Sequence, residues 1–106
     1  MTKTKKEDLD FNNLGFAYHD LPYRYKAEYH DGHWQPGELT TDSTLQLSES
    51  AVVLHYGQEV FEGLKAYRRK DGGVNIFRPD RNDHRMHNSA ERLLMEPFPE
   101  DEFVKA

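Results

Sequence analysis

Asp83, His87 and Glu91 follow one another at four-residue intervals, with His84 beside them. On a helix that spacing puts two carboxylates and an imidazole on one face, where they could bind a metal ion. It equally makes a solvated face laced with i,i+4 charge pairs. No second ligand-rich segment accompanies it, so the charged-face reading is preferred and no metal is expected. His30, Asp31 and His33 read as turn and surface residues in the same way. Glu62 and Gly63 form a pair of another kind. A glycine lets backbone approach a ligand or turn sharply, and the glutamate before it reads as a structural residue able to orient the loop by hydrogen bonding. The chain has no cysteine, which excludes a disulfide framework and cysteine-based zinc sites and fits a reducing, cytoplasmic setting. A formal net charge of −5 argues against a general nucleic-acid or membrane binder and favours a small-molecule site.

The elements that must position these residues are short. At 106 residues the chain can hold one core, and a mean hydropathy of −0.96 with 31% charged residues keeps that core modest. Residues 1–10 are charged and nearly free of large apolar groups, so they read as a disordered tail. Neither a signal peptide nor a membrane anchor is visible there. Residues 23–29 alternate, with Tyr23, Tyr25, Ala27 and Tyr29 on one side and Arg24, Lys26 and Glu28 on the other, the pattern of a strand with one apolar face. Asp31-Gly32 is a turn pair and Pro36-Gly37 a break. An apolar run follows at 51–54, with Leu45 and Leu47 alternating before it.

Residues 63–69 and 73–77 form a strand hairpin around Lys70-Asp71-Gly72, whose Asp-Gly pair can supply positive φ angles. Pro79 suits the first turn of a helix over about 79–94, in which Met86, Ala90, Leu93 and Leu94 make one buried stripe. Pro97 and Pro99 end it, and three acids after Pro99 start another helix. That second helix has few residues before Ala106, so the sequence reads as incomplete, an α+β unit cut off in mid-element.

Two long motifs carry a resemblance. Leu54-His55-Tyr56-Gly57-Gln58-Glu59-Val60-Phe61-Glu62-Gly63-Leu64-Lys65-Ala66-Tyr67 resembles the signature of branched-chain amino acid aminotransferases of pyridoxal-phosphate (PLP) fold type IV. Phe77-Arg78-Pro79-Asp80-Arg81-Asn82-Asp83-His84-Arg85-Met86-His87-Asn88-Ser89-Ala90-Glu91-Arg92-Leu93 follows at the family's distance and is similar to its F-R-P-x-x-N-x-x-R-M-x-x-S-A-x-R-L segment. The region 14–21 matches more weakly.

The resemblance implies that residues 11–106 are part of the family's small N-terminal domain, and that the C-terminal domain with the cofactor lysine is absent from this chain. No catalytic residue then falls within it, since the Schiff-base lysine lies beyond Ala106 and Lys65 is not that lysine. These residues alone are expected to be inactive. By the same comparison Arg85 contacts the 5′-phosphate of PLP, a role that suits a permanently charged guanidinium with a planar fork of donors. On residue type alone it would be a surface arginine. Tyr56, Phe61 and Gly63 resemble residues of the substrate pocket, which must accept leucine, isoleucine and valine through apolar contacts. For Tyr56 and Phe61 the rival reading is core packing. The implied reaction passes the amino group of a branched-chain amino acid to 2-oxoglutarate in a homodimer, with Tyr56 reaching a neighbouring subunit's site. The alternatives are another fold type IV enzyme, such as D-amino acid aminotransferase or 4-amino-4-deoxychorismate lyase, or a non-catalytic binding or regulatory small domain.

Overall fold

The computed structural model describes residues 3–106, which fall into two units, the first reaching to Gln46 and the second spanning Leu47–Ala106. Met1 and Thr2 of the expected tail lie outside the described residues. From Lys3 the first unit is tied to Asp20. The Thr4 N–H donates to the Asp20 carbonyl (2.7 Å), the Lys3 ammonium reaches the Asp20 carboxylate (2.9 Å), and residues Lys6–Asp8 make a single 3-10 turn.

The expected strand over 23–29 is divided in two. β1 (Arg24–Lys26) and β2 (Tyr29–His30) face β3 (His33–Trp34) and β4 (Glu38–Thr40), all antiparallel, with Tyr25 opposite Leu39 and Tyr29 opposite Trp34. Between the two ladders, Ala27 and Glu28 face three residues, Gln35 to Gly37, and the Gln35 N–H still donates to the Glu28 carbonyl (2.7 Å). Pro36 has no N–H to offer, so the ladder lapses there. Asp31 (φ 55°) and Gly32 (φ 82°) form the two-residue turn expected of them. The rings of Tyr29 and Trp34 meet edge to face at 5.5 Å. Tyr25 lies over Gly37 so closely that any β-carbon there would overlap its ring.

The alternation at 23–29 does not separate a dry face from a wet one. Tyr23 and Tyr29 are exposed, whereas Arg24 and Lys26 are as covered as Tyr25. Arg24 donates to the Asp20 carboxylate and the Thr41 carbonyl (2.9 Å each), and Lys26 to the Thr44 carbonyl. Hydrogen bonding thus draws the polar side of the strand inward.

In the second unit, the apolar run at 51–54 opens a short helix, α1 (Val52–Tyr56), which Gly57 closes in the left-handed conformation (φ 64°). The hairpin is present as β5 (Ala66–Arg68) against β6 (Val74–Ile76), shorter than the expected 63–69 and 73–77. Of the Asp-Gly pair, only Gly72 takes a positive φ (88°). The Asp71 carboxylate accepts from the Gly73 N–H (2.9 Å) and from Arg69 (3.0 Å), which holds the turn.

α2 (Pro79–Arg92) has proline at its first turn, as expected, and α3 (Glu100–Lys105) starts after Pro99 with three acids in its first turn. The expected buried stripe on α2 is only partly buried. Ala90 is buried and Met86 half-buried, but Leu93 is 43% and Leu94 92% exposed. The helix ends at Arg92, and Leu94 turns into the left-handed region (φ 58°), which carries its side chain off the stripe. Together these are short antiparallel strand pairs and three α-helices among the described residues, an α+β arrangement. None of the described helices is long and apolar enough to cross a membrane.

Candidate functional site

α2 presents Asn82 and Arg85 three residues apart, and therefore on one side of the helix. Glu62 reaches that side from the irregular segment between α1 and β5. Its carboxylate is only 11% exposed and engages both residues. Asn82 Nδ2 donates to Glu62 Oε1 (2.8 Å) and to the Gly63 carbonyl (2.9 Å). Arg85 donates from Nε to Glu62 Oε2 (3.3 Å) and from Nη2 to Glu62 Oε1. Further along, Gln58 Nε2 donates to the Leu93 carbonyl (2.7 Å). Side chains of both segments thus join the two long sequence motifs, Gln58 and Glu62 from the first and Asn82 and Arg85 from the second.

The electrostatics follow from the pairing. The Arg85 hydrogen bond is the largest influence holding the Glu62 carboxyl below its ordinary range; partial burial opposes it, and Asn82 adds to the lowering. Glu62 in turn pushes the Arg85 guanidinium upward. The pair is ionised at any pH near neutrality. Arg85 is nevertheless 64% exposed, and Glu62 occupies only its Nε and Nη2 edge. A guanidinium has five N–H donors, so donors on Nη1 remain for an anion.

A cavity of about 530 Å³ opens beside this cluster, lined by Gly63, Leu64, Lys65, Tyr67, Phe77 and Asn82. Of the residues singled out from sequence, Gly63 lines it, and Arg85 is joined to it through Glu62 and Asn82. Tyr56 and Phe61 do not line it and are 87% and 90% exposed, so neither packs into a core among the described residues. Sequence reasoning passed over Asn82, although its place three residues before Arg85 was a usable signal. Leu64, Tyr67 and Phe77 had none, because only the fold brings the hairpin strands and the start of α2 to one cavity.

The helical carboxylate and imidazole face resolves into pairs. His87 Nε2 and Glu91 stand 3.1 Å apart, while His84 Nδ1 meets Glu100 of α3 at 3.4 Å. Asp83 is 5% exposed, and burial, followed by the nearby Glu100 and Asp101, pushes its carboxyl up against the opposing pull of His87 and His84. Among the described residues no group of three or more such side chains could hold a metal ion. His30 and His33 lie at the Asp31 turn, where His30 Nδ1 is 3.1 Å from the Asp31 carboxylate.

Comparison with known proteins gives one consistent result. The chain is 56% identical over 100 residues to the branched-chain-amino-acid aminotransferase of Haemophilus influenzae and 51% identical over 100 residues to that of Helicobacter pylori, each match taking in 94% of this chain. It is 42% identical over 102 residues, or 95% of its length, to branched-chain-amino-acid transaminase 1 of Bacillus subtilis. The chain spans about 29% of the length of these curated relatives. No family model matches it.

Proposed function

We propose that these residues form part of the small N-terminal domain of a PLP-dependent branched-chain-amino-acid aminotransferase of fold type IV. The enzyme moves the amino group of leucine, isoleucine or valine to 2-oxoglutarate and works as a cytoplasmic homodimer. The observation that carries this reading is the similarity over 94% of the chain to enzymes of that name, which takes in both motif segments.

The residues present fit the cofactor's phosphate. Arg85 is a permanently charged, largely exposed donor fork with one edge fixed by Glu62, and a phosphate dianion is the kind of acceptor its remaining donors suit. PLP, when bound, supplies the electron sink for the amino-group exchange. The chain's own part is to anchor and orient. Arg85 would hold the phosphate end, and Gly63, having no side chain, leaves the cavity wall beside it low. Tyr56 and Phe61 offer exposed aromatic surface for a branched aliphatic side chain, Tyr56 toward the site of a neighbouring subunit.

Replacing Arg85 tests this directly. In the full-length protein, Arg85→Ala is expected to weaken PLP retention by roughly tenfold or more, since charge-assisted bonds to phosphate are lost. Equilibrium dialysis followed by absorbance of the retained cofactor reads the effect. Unchanged retention would remove Arg85 from the phosphate role.

A further inference from the structure

We propose that Glu62, steadied by Asn82, is the positioning residue for the Arg85 guanidinium. The inference rests on the reading of Arg85 as the phosphate anchor. A long arginine side chain on an exposed helix face samples many rotamers, and an anion that needs one of them must bear the cost of selecting it. Here the selection is already made. Glu62 takes the Nε and Nη2 edge of Arg85 in two-point fashion, which fixes the plane of the guanidinium and leaves its Nη1 side for a ligand.

Exposure is divided between the partners in the way a positioning role requires. The carboxylate is 11% exposed and the arginine 64%. A pair built only to neutralise charge has no need of that asymmetry. Asn82 supplies the other half of the device. Its single Nδ2 donates to Glu62 Oε1 and to the Gly63 carbonyl, so the carboxylate that aims Arg85 is tied to the backbone that lines the cavity. The direction of the guanidinium and the wall of the cavity are set together.

A carboxylate next to a phosphate site has an opposite effect too, because like charges repel and removing it should favour the anion. The two effects predict opposite signs, which makes the question decidable. Glu62→Gln keeps the size of the side chain but puts an amide N–H₂ where a second acceptor is needed, so the two-point contact breaks. In the full-length protein, Glu62→Gln is expected to weaken PLP binding on the order of tenfold, and to shift the ³¹P resonance of the bound phosphate toward that of free cofactor. In an Arg85→Ala background the same change should no longer weaken binding, because Glu62 acts through Arg85 and only the relief of repulsion is left.

Tighter binding in Glu62→Gln, or a loss that simply adds to that of Arg85→Ala, would overturn the positioning role. If Arg85→Ala itself leaves binding unchanged, the anchor reading fails first and takes this inference with it. Should Glu62→Gln not fold by circular dichroism, Asn82→Ser carries the same test. It is expected to weaken binding severalfold when Arg85 is present and not when Arg85 is alanine, and a loss equal in both backgrounds would overturn the role.

Discussion

Asp83 shows at the scale of one residue how burial and neighbouring charge act together. It sits 5% exposed on α2, near Glu100 and Asp101 in the acidic first turn of α3, and its carboxyl is pushed up chiefly by burial. A folded-state value above the unfolded one means that the ionised form is disfavoured in the fold. Stability is therefore reduced at neutral pH and recovers as the pH falls through the raised value. Asp83→Asn should raise the melting temperature of the full-length protein by roughly 2–5 °C at pH 7, a typical single-site effect. The gain should vanish in acid, where Asp83 is already neutral; a gain that persists at low pH would show that charge is not the cause. At this scale the long motifs were more informative than residue type: Arg85 and Gly63 were singled out through the resemblance they carry, and both belong to the cluster around Glu62. Asn82 was passed over, although its spacing from Arg85 was a usable signal, because an asparagine's type alone does not point to its partners.

Elements were legible in proportion to how local their causes are. The turn at Asp31-Gly32, the hairpin around Gly72 and the start of α2 at Pro79 each follow from backbone preferences of one or two residues. The ends of elements depend on more distant partners. Leu94 was read as part of a helical stripe, yet it reverses the chain in the left-handed region, with the Met95 N–H on the Ala90 carbonyl (2.9 Å) and the Leu94 N–H on the Glu91 carbonyl (3.1 Å). This is a Schellman closure with leucine where glycine usually stands. Leucine there is strained by about 1 kcal/mol, and its side chain, 92% exposed, recovers little of that by burial. Leu94→Gly should accordingly stabilise the C-terminal end of α2 by about 0.5–1 kcal/mol, seen as a higher urea midpoint with unchanged slope. A destabilised variant would mean that the leucine side chain is buried against something in the full-length protein. The strand at 23–29 was read too long for a related reason. Its alternation is real, but Pro36, between the two facing strands, interrupts the ladder, and no property of residues 23–29 reveals that.

For the whole chain, the contrast is between polar and apolar organisation. Among the described residues the buried set is Ala90 with three polar or charged residues, Asp20, Asn82 and Asp83, and no large side chain is fully buried. Each unit is held mainly by its own hydrogen bonds and ion pairs, Asp20 with Lys3 and Arg24 in the first, Glu62 with Asn82 and Arg85 in the second. Such contacts fix geometry well but add little net stability where water competes for them, whereas cooperative unfolding draws on buried apolar surface. Phe16, Tyr56, Phe61, Phe77 and Leu94 are each more than four-fifths exposed. The purified 106-residue chain is therefore expected to bind a hydrophobic dye such as ANS strongly, to lose its far-UV signal over a broad temperature range, and to exchange most backbone amides within seconds to minutes at neutral pH. The full-length protein should do none of these if its remaining residues cover the aromatic surface. A sharp, two-state melt of the 106-residue chain with slowly exchanging amides in α2 would show that this polar network suffices as a core.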